Sequence, residues 1–201
     1  LRWDSPEGFI PPDDFIPLAE KTGLILPIGE WALTESCRQL KEWQQLEKGP
    51  LQLSCNISVK HLSDDQFIHK VKDIIVTSGI DPQFLTLELT ESVLIEDVEE
   101  KIELLVQLRE LGVKLSIDDF GTGYSSFNYL RKLPIDELKI DRSFVMEITT
   151  HPESRAIVST IIYLANSLNL LTVGEGIEKI EELEFMRKHG CRLFQGFYHS
   201  P

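Results

Sequence analysis

Residues 84–119, FLTLELTESVLIEDVEEKIELLVQLRELGVKLSIDD, contain two strand-like segments with a helical segment between them. Apolar and polar residues alternate in FLTLELT and again in VKLSIDD, as is typical of strands, whereas residues 97–111 place their apolar residues at helical spacing. A helix between two strands favours a parallel pair, because the chain must cross back over the sheet before the second strand begins. This unit therefore predicts an α/β fold.

The same rhythm continues in both directions along the chain. Before the unit come strand-like LQLSCNIS (51–58) and a helical segment at 61–78. After it come helical SSFNYLRKL (125–133), strand-like IDELKID (135–141) and a helical pair at 141–168. The chain then continues with strand-like LLTVGEG (170–176), a helix at 178–189 and strand-like CRLFQGF (191–197). Six strands with intervening helices favour a parallel sheet that closes towards a barrel. The first fifty residues predict two helices after a strand whose beginning is not visible. A (β/α)8 barrel usually takes about 250 residues, so this chain predicts a TIM barrel truncated at both ends.

Composition and charge exclude several classes of protein. The chain has 201 residues, of which 42% are hydrophobic and 26% charged, as in one compact globular domain. Its net charge of −13 disfavours binding to a nucleic acid polymer, because such proteins rely on clusters of lysine and arginine. A small anionic ligand remains compatible if metal ions supply positive charge.

The cysteines and the apolar segments indicate a cytoplasmic compartment. Cys37, Cys55 and Cys191 are odd in number and widely spaced, which favours reduced thiols over a disulfide framework. The longest apolar region, residues 157–173, is interrupted by serine, threonine and asparagine, so we expect a buried helix and strand instead of a membrane span. No segment has the pattern of a signal peptide.

The alternation within the strands separates an apolar face from a polar face. In FLTLELT the leucines share one side while Thr86 and Glu88 share the other, and in VKLSIDD Ser116 and Asp118 share the polar side. We expect the apolar set to face the outer helices and the polar set to line the barrel interior. LLTVGEG breaks this rule, because Glu175 shares a side with an apolar valine.

Polar residues collect where the predicted strands end, which is where barrel enzymes carry their functional residues. The set consists of Asn56, Glu88, Asp118, Asp119, Lys139 and Glu175. Carboxylate and carboxamide oxygens suit Mg²⁺ or Mn²⁺, and two such ions bridged by an aspartate would activate a water for attack on a phosphoryl group. Lys139 would position or deprotonate that water, or offset charge on the phosphate.

Each of these residues also has a structural explanation when it is taken alone. An Asp-Asp pair before glycine is a common capped turn, a lone lysine is usually solvated or ion-paired, and Asn56 would suit a turn. Glu88 fits such an explanation less well, because a charge inside an apolar strand should be paired or functional. The convergence of five strand ends favours the functional interpretation.

Eight segments of the chain together resemble the EAL domain family. They are LRW at 1–3, FIPLAEKTGLI at 15–25, NIS at 56–58, ELTES at 88–92, SIDDFGTGYSS at 116–126, LKIDRSFV at 138–145, VGEGIE at 173–178 and QGF at 195–197. The resemblance covers essentially the whole chain in the expected order. It implies a modified (β/α)8 barrel that hydrolyses the bacterial second messenger cyclic di-GMP to linear pGpG with Mg²⁺ or Mn²⁺.

The resemblance also implies a role for individual residues. Asn56, Glu88, Asp118 and Asp119 match the metal ligands of the family, with Asp118 as the bridge between two ions. Lys139 matches the lysine that contacts the attacking water, and Glu175 matches a glutamate that positions a metal-bound water or acts as general base. Glu91 resembles the anchor of the loop after Asp119, in which Gly121 and Gly123 allow a turn over the site. Arg2, Glu178 and Gln195 match positions near the substrate.

The sequence departs from the family pattern in three places. The glutamate of the Glu-Ala-Leu triplet, itself a metal ligand, would precede Leu1, and the family continues beyond Pro201 into its last barrel elements. Gly174 stands where alanine is commoner. We therefore expect residues 1–201 to be an incomplete EAL domain from a longer protein, and we expect the isolated chain to lack a complete metal site.

Three functions are compatible with the resemblance. The first is an active cyclic di-GMP phosphodiesterase, which is favoured because the matching catalytic residues are retained. The second is a receptor that binds cyclic di-GMP without hydrolysing it, and the third is a dimerising regulatory module, since the region after Asp119 and Tyr124 resembles the dimer-forming segment of the family. In each case we expect the domain to be fused to sensory or GGDEF-type domains. We also expect it to lie in the cytoplasm, even if the full-length protein is tethered to a membrane.

Overall fold

A parallel six-stranded sheet forms the centre of the computed structural model, with strands neighbouring one another in chain order. The structure describes residues 1–6, 8–46, 51–94, 98–123 and 127–199. The sheet strands are β3 (Leu53–Ile57), β4 (Leu85–Thr90), β5 (Lys114–Phe120), β6 (Glu137–Ile140), β7 (Leu171–Gly174) and β8 (Leu193–Phe194). The predicted α/β class and the six parallel strands are confirmed, and the sheet forms a half-barrel.

Helices alternate with these strands along the chain. They are α1 (Pro12–Thr22), α2 (Ile25–Gln45), α3 (Phe67–Ser78), α4 (Val98–Glu110), α5 (Phe127–Leu130), α6 (Arg142–Glu147), α7 (Pro152–Ser167) and α8 (Ile180–His189). The helix expected at 61–78 begins only at Phe67, because Val59–Ser63 form a 3₁₀ turn capped by Ser58. The expected start of α4 at residue 97 lies outside the described residues.

A hairpin that the sequence did not reveal precedes the two predicted N-terminal helices. Strands β1 (Trp3–Ser5) and β2 (Gly8–Ile10) pair in antiparallel register, and Trp3 packs edge-on against Phe15 of α1 with ring centroids 5.8 Å apart. Each strand has three residues, too few to establish an alternating pattern. None of the described helices is long and apolar enough to cross a membrane.

The apolar faces of the strands and helices form one continuous core. Leu87, Leu115 and Leu138 are fully buried and belong to the same cluster as Leu105 of α4 and Val158 of α7. The apolar strand positions thus face the helices, as the alternation predicted. Glu88 and Lys139 on the opposite face are buried as well.

Strand β7 does not follow the alternation of apolar and polar residues seen in the other strands. Lys139 pairs with Val173, so Val173 shares the inward face, while Gly174 faces outward. A Cβ atom on Gly174 would lie 2.5 Å from Cε of Met186 in α8. The close approach of α8 explains the glycine, and Glu175 simply continues the inward set.

Candidate metal centre

Lys139 is surrounded by carboxylates from three other segments of the chain. Its Nζ atom lies 3.1 Å from Oε2 of Glu88, 3.0 Å from Oδ1 of Asp118 and 2.7 Å from Oε1 of Glu175. The Lys139 side chain is only 6% exposed. Strands β4, β5, β6 and the end of β7 therefore bring four predicted site residues together.

The carboxylates keep Lys139 charged despite its burial. Burial alone would lower the pKa of Lys139, but the hydrogen bond to Glu175 and the charges of Glu88 and Asp118 outweigh it and raise this pKa well above its usual value. Lys139 is therefore a cation at neutral pH, and it offsets part of the negative charge that the carboxylates bring.

An irregularity in β5 turns two neighbouring aspartates towards the same end of the sheet. Ile117 pairs with Leu138 and Phe120 with Ile140, so Asp118 and Asp119 together lie opposite the single residue Lys139. Adjacent residues of a regular strand point to opposite faces, whereas a bulge releases them from that rule. Asp119 adopts the left-handed conformation with φ of 56°.

The bulge places three carboxylates close enough to share a cation. Oxygen atoms of Asp118, Asp119 and Glu175 all lie within 4.8 Å of one another. Burial, followed by the charges of Asp118 and Asp141, raises the pKa of Asp119. Burial also raises the pKa of Glu175, against the effect of Lys139. The cluster offers only carboxylate oxygens and carries an excess of negative charge, so it fits a hard divalent cation.

Asn56 and Glu88 extend the polar end of the sheet towards β3. The two residues are paired across β3 and β4, so their side chains share one face. Glu88 is buried against Lys139, whereas Asn56 is exposed. In this structure Glu88 is thus bound to the lysine and lies outside the carboxylate cluster of Asp118, Asp119 and Glu175.

Glu91 contacts the loop that follows the two aspartates. Its Oε2 atom accepts hydrogen bonds from the backbone N–H groups of Gly121 at 2.8 Å and Gly123 at 3.2 Å. Glu91 is buried, and a Cβ atom on Gly123 would lie 2.9 Å from its Oε1 atom. A side chain at position 123 would therefore displace the Glu91 carboxylate from its contact with the loop. Tyr124–Ser126, in the segment expected to form a dimer, lie outside the described residues.

The three residues expected near the substrate are exposed. Arg2 lines an apolar cavity with Trp3 and Trp31, Glu178 precedes α8, and Gln195 follows β8. Over the residues that the structure describes, no hydrogen bond or ion pair joins the side chain of Arg2, Glu178 or Gln195 to the carboxylates.

Sequence reasoning missed two acidic residues near the centre, Glu137 and Asp141. Glu137 lies two residues before Lys139 on the same inward face, and its burial raises its pKa. Asp141 accepts a hydrogen bond from the N–H group of Ser143 at 2.9 Å, which caps α6, and its charge raises the pKa of Asp119. Period-two spacing from Lys139 could have identified Glu137, but nothing in the sequence distinguishes Asp141 from an ordinary helix cap.

The cysteines take no part in this centre. All three are buried free thiols. Burial raises the pKa of Cys37 to about 11 and raises those of Cys55 and Cys191 as well, so each is protonated at neutral pH.

Comparison with known proteins identifies relatives along the whole chain. The sequence model of the EAL domain family matches residues 1–201. The bifunctional diguanylate cyclase/cyclic di-GMP phosphodiesterase MucR of Pseudomonas aeruginosa is 43% identical over 198 residues, which are 98% of this chain and 29% of MucR. The oxygen sensor protein DosP of Escherichia coli K12 is 43% identical over 200 residues, 99% of this chain and 25% of DosP. The chain thus spans between a quarter and a third of the length of these two relatives.

A solved structure extends the similarity to three dimensions. The structure described as the PaMucR phosphodiesterase in complex with c-di-GMP has a TM-score of 0.95 and 42% identity to this chain, and the match covers 100% of this chain and 81% of that one. The half-barrel and the order of its strands therefore agree with a protein that has been solved with its ligand.

Proposed function

The chain belongs to the EAL domain family, and we propose that in its full-length protein it hydrolyses cyclic di-GMP to linear pGpG. The observation that carries this proposal is the grouping of Asp118, Asp119 and Glu175 around Lys139 at one end of the sheet. The names of MucR and of the PaMucR structure support the choice of substrate, since both relate to cyclic di-GMP phosphodiesterases.

Divalent metal ions are part of the proposed mechanism. Asn56, Glu88, Asp118 and Asp119 would hold two ions, either Mg²⁺ or Mn²⁺. When bound, the ions supply a water of lowered pKa and neutralise charge on the phosphate. Glu88 would have to exchange its contact with Lys139 for a contact with the metal.

Glu175 and Lys139 carry the proposed proton transfer and charge stabilisation. The raised pKa of Glu175 makes its carboxylate a stronger base than an exposed glutamate, which suits a general base that accepts a proton from water. Lys139 remains charged, so it would hold the attacking water and stabilise negative charge on the phosphoryl oxygens.

The remaining residues would hold the substrate and the loop. The guanidinium group of Arg2 suits a phosphate of cyclic di-GMP, while Glu178 and Gln195 would contact the substrate or a metal-bound water. Glu91 would keep the loop at Gly121 and Gly123 over the site, which its two hydrogen bonds support. We further propose a homodimer formed through the region after Asp119.

The wider setting of the domain is also a proposal. The chain covers only a fraction of MucR and DosP, which are named as a bifunctional enzyme and an oxygen sensor, so we propose fusion to sensory or GGDEF-type domains. The buried free thiols and the expected substrate favour the cytoplasm, or the cytoplasmic part of a membrane-tethered protein.

Hydrolysis and binding must be measured separately to test this function. The full-length protein is incubated with cyclic di-GMP and Mn²⁺ or Mg²⁺, and the products are separated by chromatography. We expect linear pGpG, and none after chelation with EDTA. Binding without turnover would instead favour the receptor, and absence of binding the dimerising module.

A further inference from the structure

A polar cavity lies at the end of the sheet opposite the carboxylate centre. Its volume is about 490 Å³. Lys114, the first residue of β5, and Leu171, the first residue of β7, both line it, whereas Asp118 and Asp119 lie near the other end of β5. The cavity is therefore separated from the proposed active site by the length of the strands.

Three basic side chains converge on this cavity in a strongly acidic chain. Arg109, Lys114 and Arg131 line it together with a single carboxylate, that of Asp136. The net charge of the chain is −13, so a local excess of cations runs against its composition. The cavity is consequently a place where an anion would be attracted despite the overall charge.

The carboxylate of Asp136 is already used within the protein. One oxygen, Oδ1, accepts a hydrogen bond from Nη2 of Arg109 at 2.8 Å, and the other, Oδ2, accepts one from the backbone N–H group of Leu115 at 3.0 Å. Over the described residues, neither Lys114 nor Arg131 lies within salt-bridge distance of a carboxylate. Two cations of the cavity are therefore available to a ligand.

Glu137 does not remove this excess. It does not line the cavity, although its carboxylate is close enough for Lys114 to influence it. Even when Glu137 is counted as ionised, the three cations outnumber the two carboxylates. The apolar part of the wall is contributed by Leu130, Leu133, Ile135, Leu168 and Leu170.

We propose that this cavity binds a small phosphate-bearing molecule through Lys114 and Arg131. Both side chains can donate charge-assisted hydrogen bonds to phosphate oxygens, while the apolar wall accommodates an organic body. The volume falls within the range of small-molecule sites, and a nucleoside monophosphate has the right combination of a charged and a less polar end. This site does not rest on the proposed phosphodiesterase function.

Calorimetric titration with GMP tests the site directly. The titration is done in EDTA, where the carboxylate centre lacks metal and repels phosphate. We expect GMP to bind, and we expect about tenfold or greater weakening in the double variant Lys114→Gln/Arg131→Gln. Lys72→Gln, which removes an exposed lysine from α3, is the matched control and should bind GMP like the unsubstituted protein.

Further ligands identify which part of GMP is recognised. If inorganic phosphate binds as tightly as GMP, the ligand of the cavity is free phosphate. If GMP binds more tightly, the ligand is an organic phosphate. Guanosine, which has no phosphate, should bind much more weakly than either. Equal binding of guanosine and GMP, or equal binding of GMP to the double variant and the control, would overturn the proposal.

Amide chemical shifts keep the test valid if the double variant fails to fold. In the unsubstituted protein, GMP should shift the backbone N–H signals of Leu115 and Leu171, which lie beside the cavity. Shifts confined to residues near Asp118 and Asp119 would contradict the proposed location.

Discussion

At the scale of single residues, the bulge at Asp118 and Asp119 determines the chemistry of the site. The sequence shows two adjacent aspartates, and strict alternation would have sent them to opposite faces. The left-handed conformation of Asp119 and the extra residue in β5 let both join Glu175. Sequence reasoning could select these residues by type and position, but it could not predict the bulge, which depends on pairing with β6.

The ion pairs of Lys139 predict a large effect of its removal. Lys139→Ala would leave Glu88, Asp118 and Glu175 buried without their cation, so in EDTA we expect a loss of about 3–5 kcal/mol in the free energy of unfolding. Urea denaturation measures this loss. Lys72→Ala is the exposed control, and a similar small effect in both variants would contradict the central position of Lys139.

The same substitution should separate turnover from binding. With metal present, we expect Lys139→Ala to reduce kcat far more than the affinity for cyclic di-GMP, because Lys139 is proposed to act on the water and the developing charge. Turnover measured at saturating substrate and binding measured by calorimetry provide the comparison. Equal losses in both would assign Lys139 to substrate binding alone.

The ionised carboxylate of Asp119 should lower the free energy of unfolding of the metal-free protein at neutral pH. The pKa of Asp119 is raised in the folded state, so the folded protein binds a proton there more readily than the unfolded chain does. The free energy of unfolding therefore falls as the pH rises above the ordinary pKa of an aspartate. Asp119→Asn should therefore raise Tm in EDTA at pH 7, with a gain that shrinks towards pH 4. Asparagine also tolerates the left-handed backbone.

Calorimetric melting curves of Asp119→Asn and the exposed control Asp73→Asn test this sign. Added Mn²⁺ should raise the Tm of the unsubstituted protein and should raise that of Asp119→Asn less. An unchanged or lower Tm for Asp119→Asn in EDTA at pH 7 would show that Asp119 is not under electrostatic stress.

At the scale of elements, the strand ends and the loops between them hold the site residues in place. The sequence predicted the strands well where leucines alternate with polar residues, as in β4 and β5, because burial of one face imposes the period. It missed the hairpin of β1 and β2, which is too short to show a period. It also could not account for β7, where Val173 faces inward and Gly174 lies close to Met186 of α8.

Packing between β7 and α8 can be tested at Gly174. A Cβ atom at this position would lie 2.5 Å from Cε of Met186 in α8. We expect Gly174→Ala to cost about 1 kcal/mol, since the end of a methionine can move. In a Met186→Ala background the cost of Gly174→Ala should disappear, and a cost that persists there would show that Met186 is not the obstacle.

The loop after the two aspartates should depend on the carboxylate of Glu91. Glu91→Ala would leave the N–H groups of Gly121 and Gly123 without their acceptor, at a cost of about 1–3 kcal/mol, and kcat should fall as the loop moves from the site. Glu91→Gln retains an acceptor and should be intermediate. Ser92→Ala, at the adjacent exposed position, should leave kcat unchanged. Full activity of Glu91→Ala would separate the loop from catalysis.

At the scale of the whole molecule, charge is divided between the two ends of the sheet. Carboxylates dominate the end that carries Asp118 and Glu175, where metal ions would reverse the local charge, and basic side chains surround the cavity at the other end. The net charge of −13 disfavours a nucleic acid polymer as partner and stays compatible with a small anionic ligand if metal ions supply positive charge. Composition alone could not locate either end.

Anomalous diffraction at the manganese edge tests the central claim most directly. Crystals of the full-length protein are grown with Mn²⁺ and cyclic di-GMP, using Lys139→Ala to slow turnover. We predict anomalous peaks in contact with the carboxylates of Asp118 and Asp119, beside a phosphate of the ligand. Bound cyclic di-GMP with no manganese at these two aspartates would contradict the account.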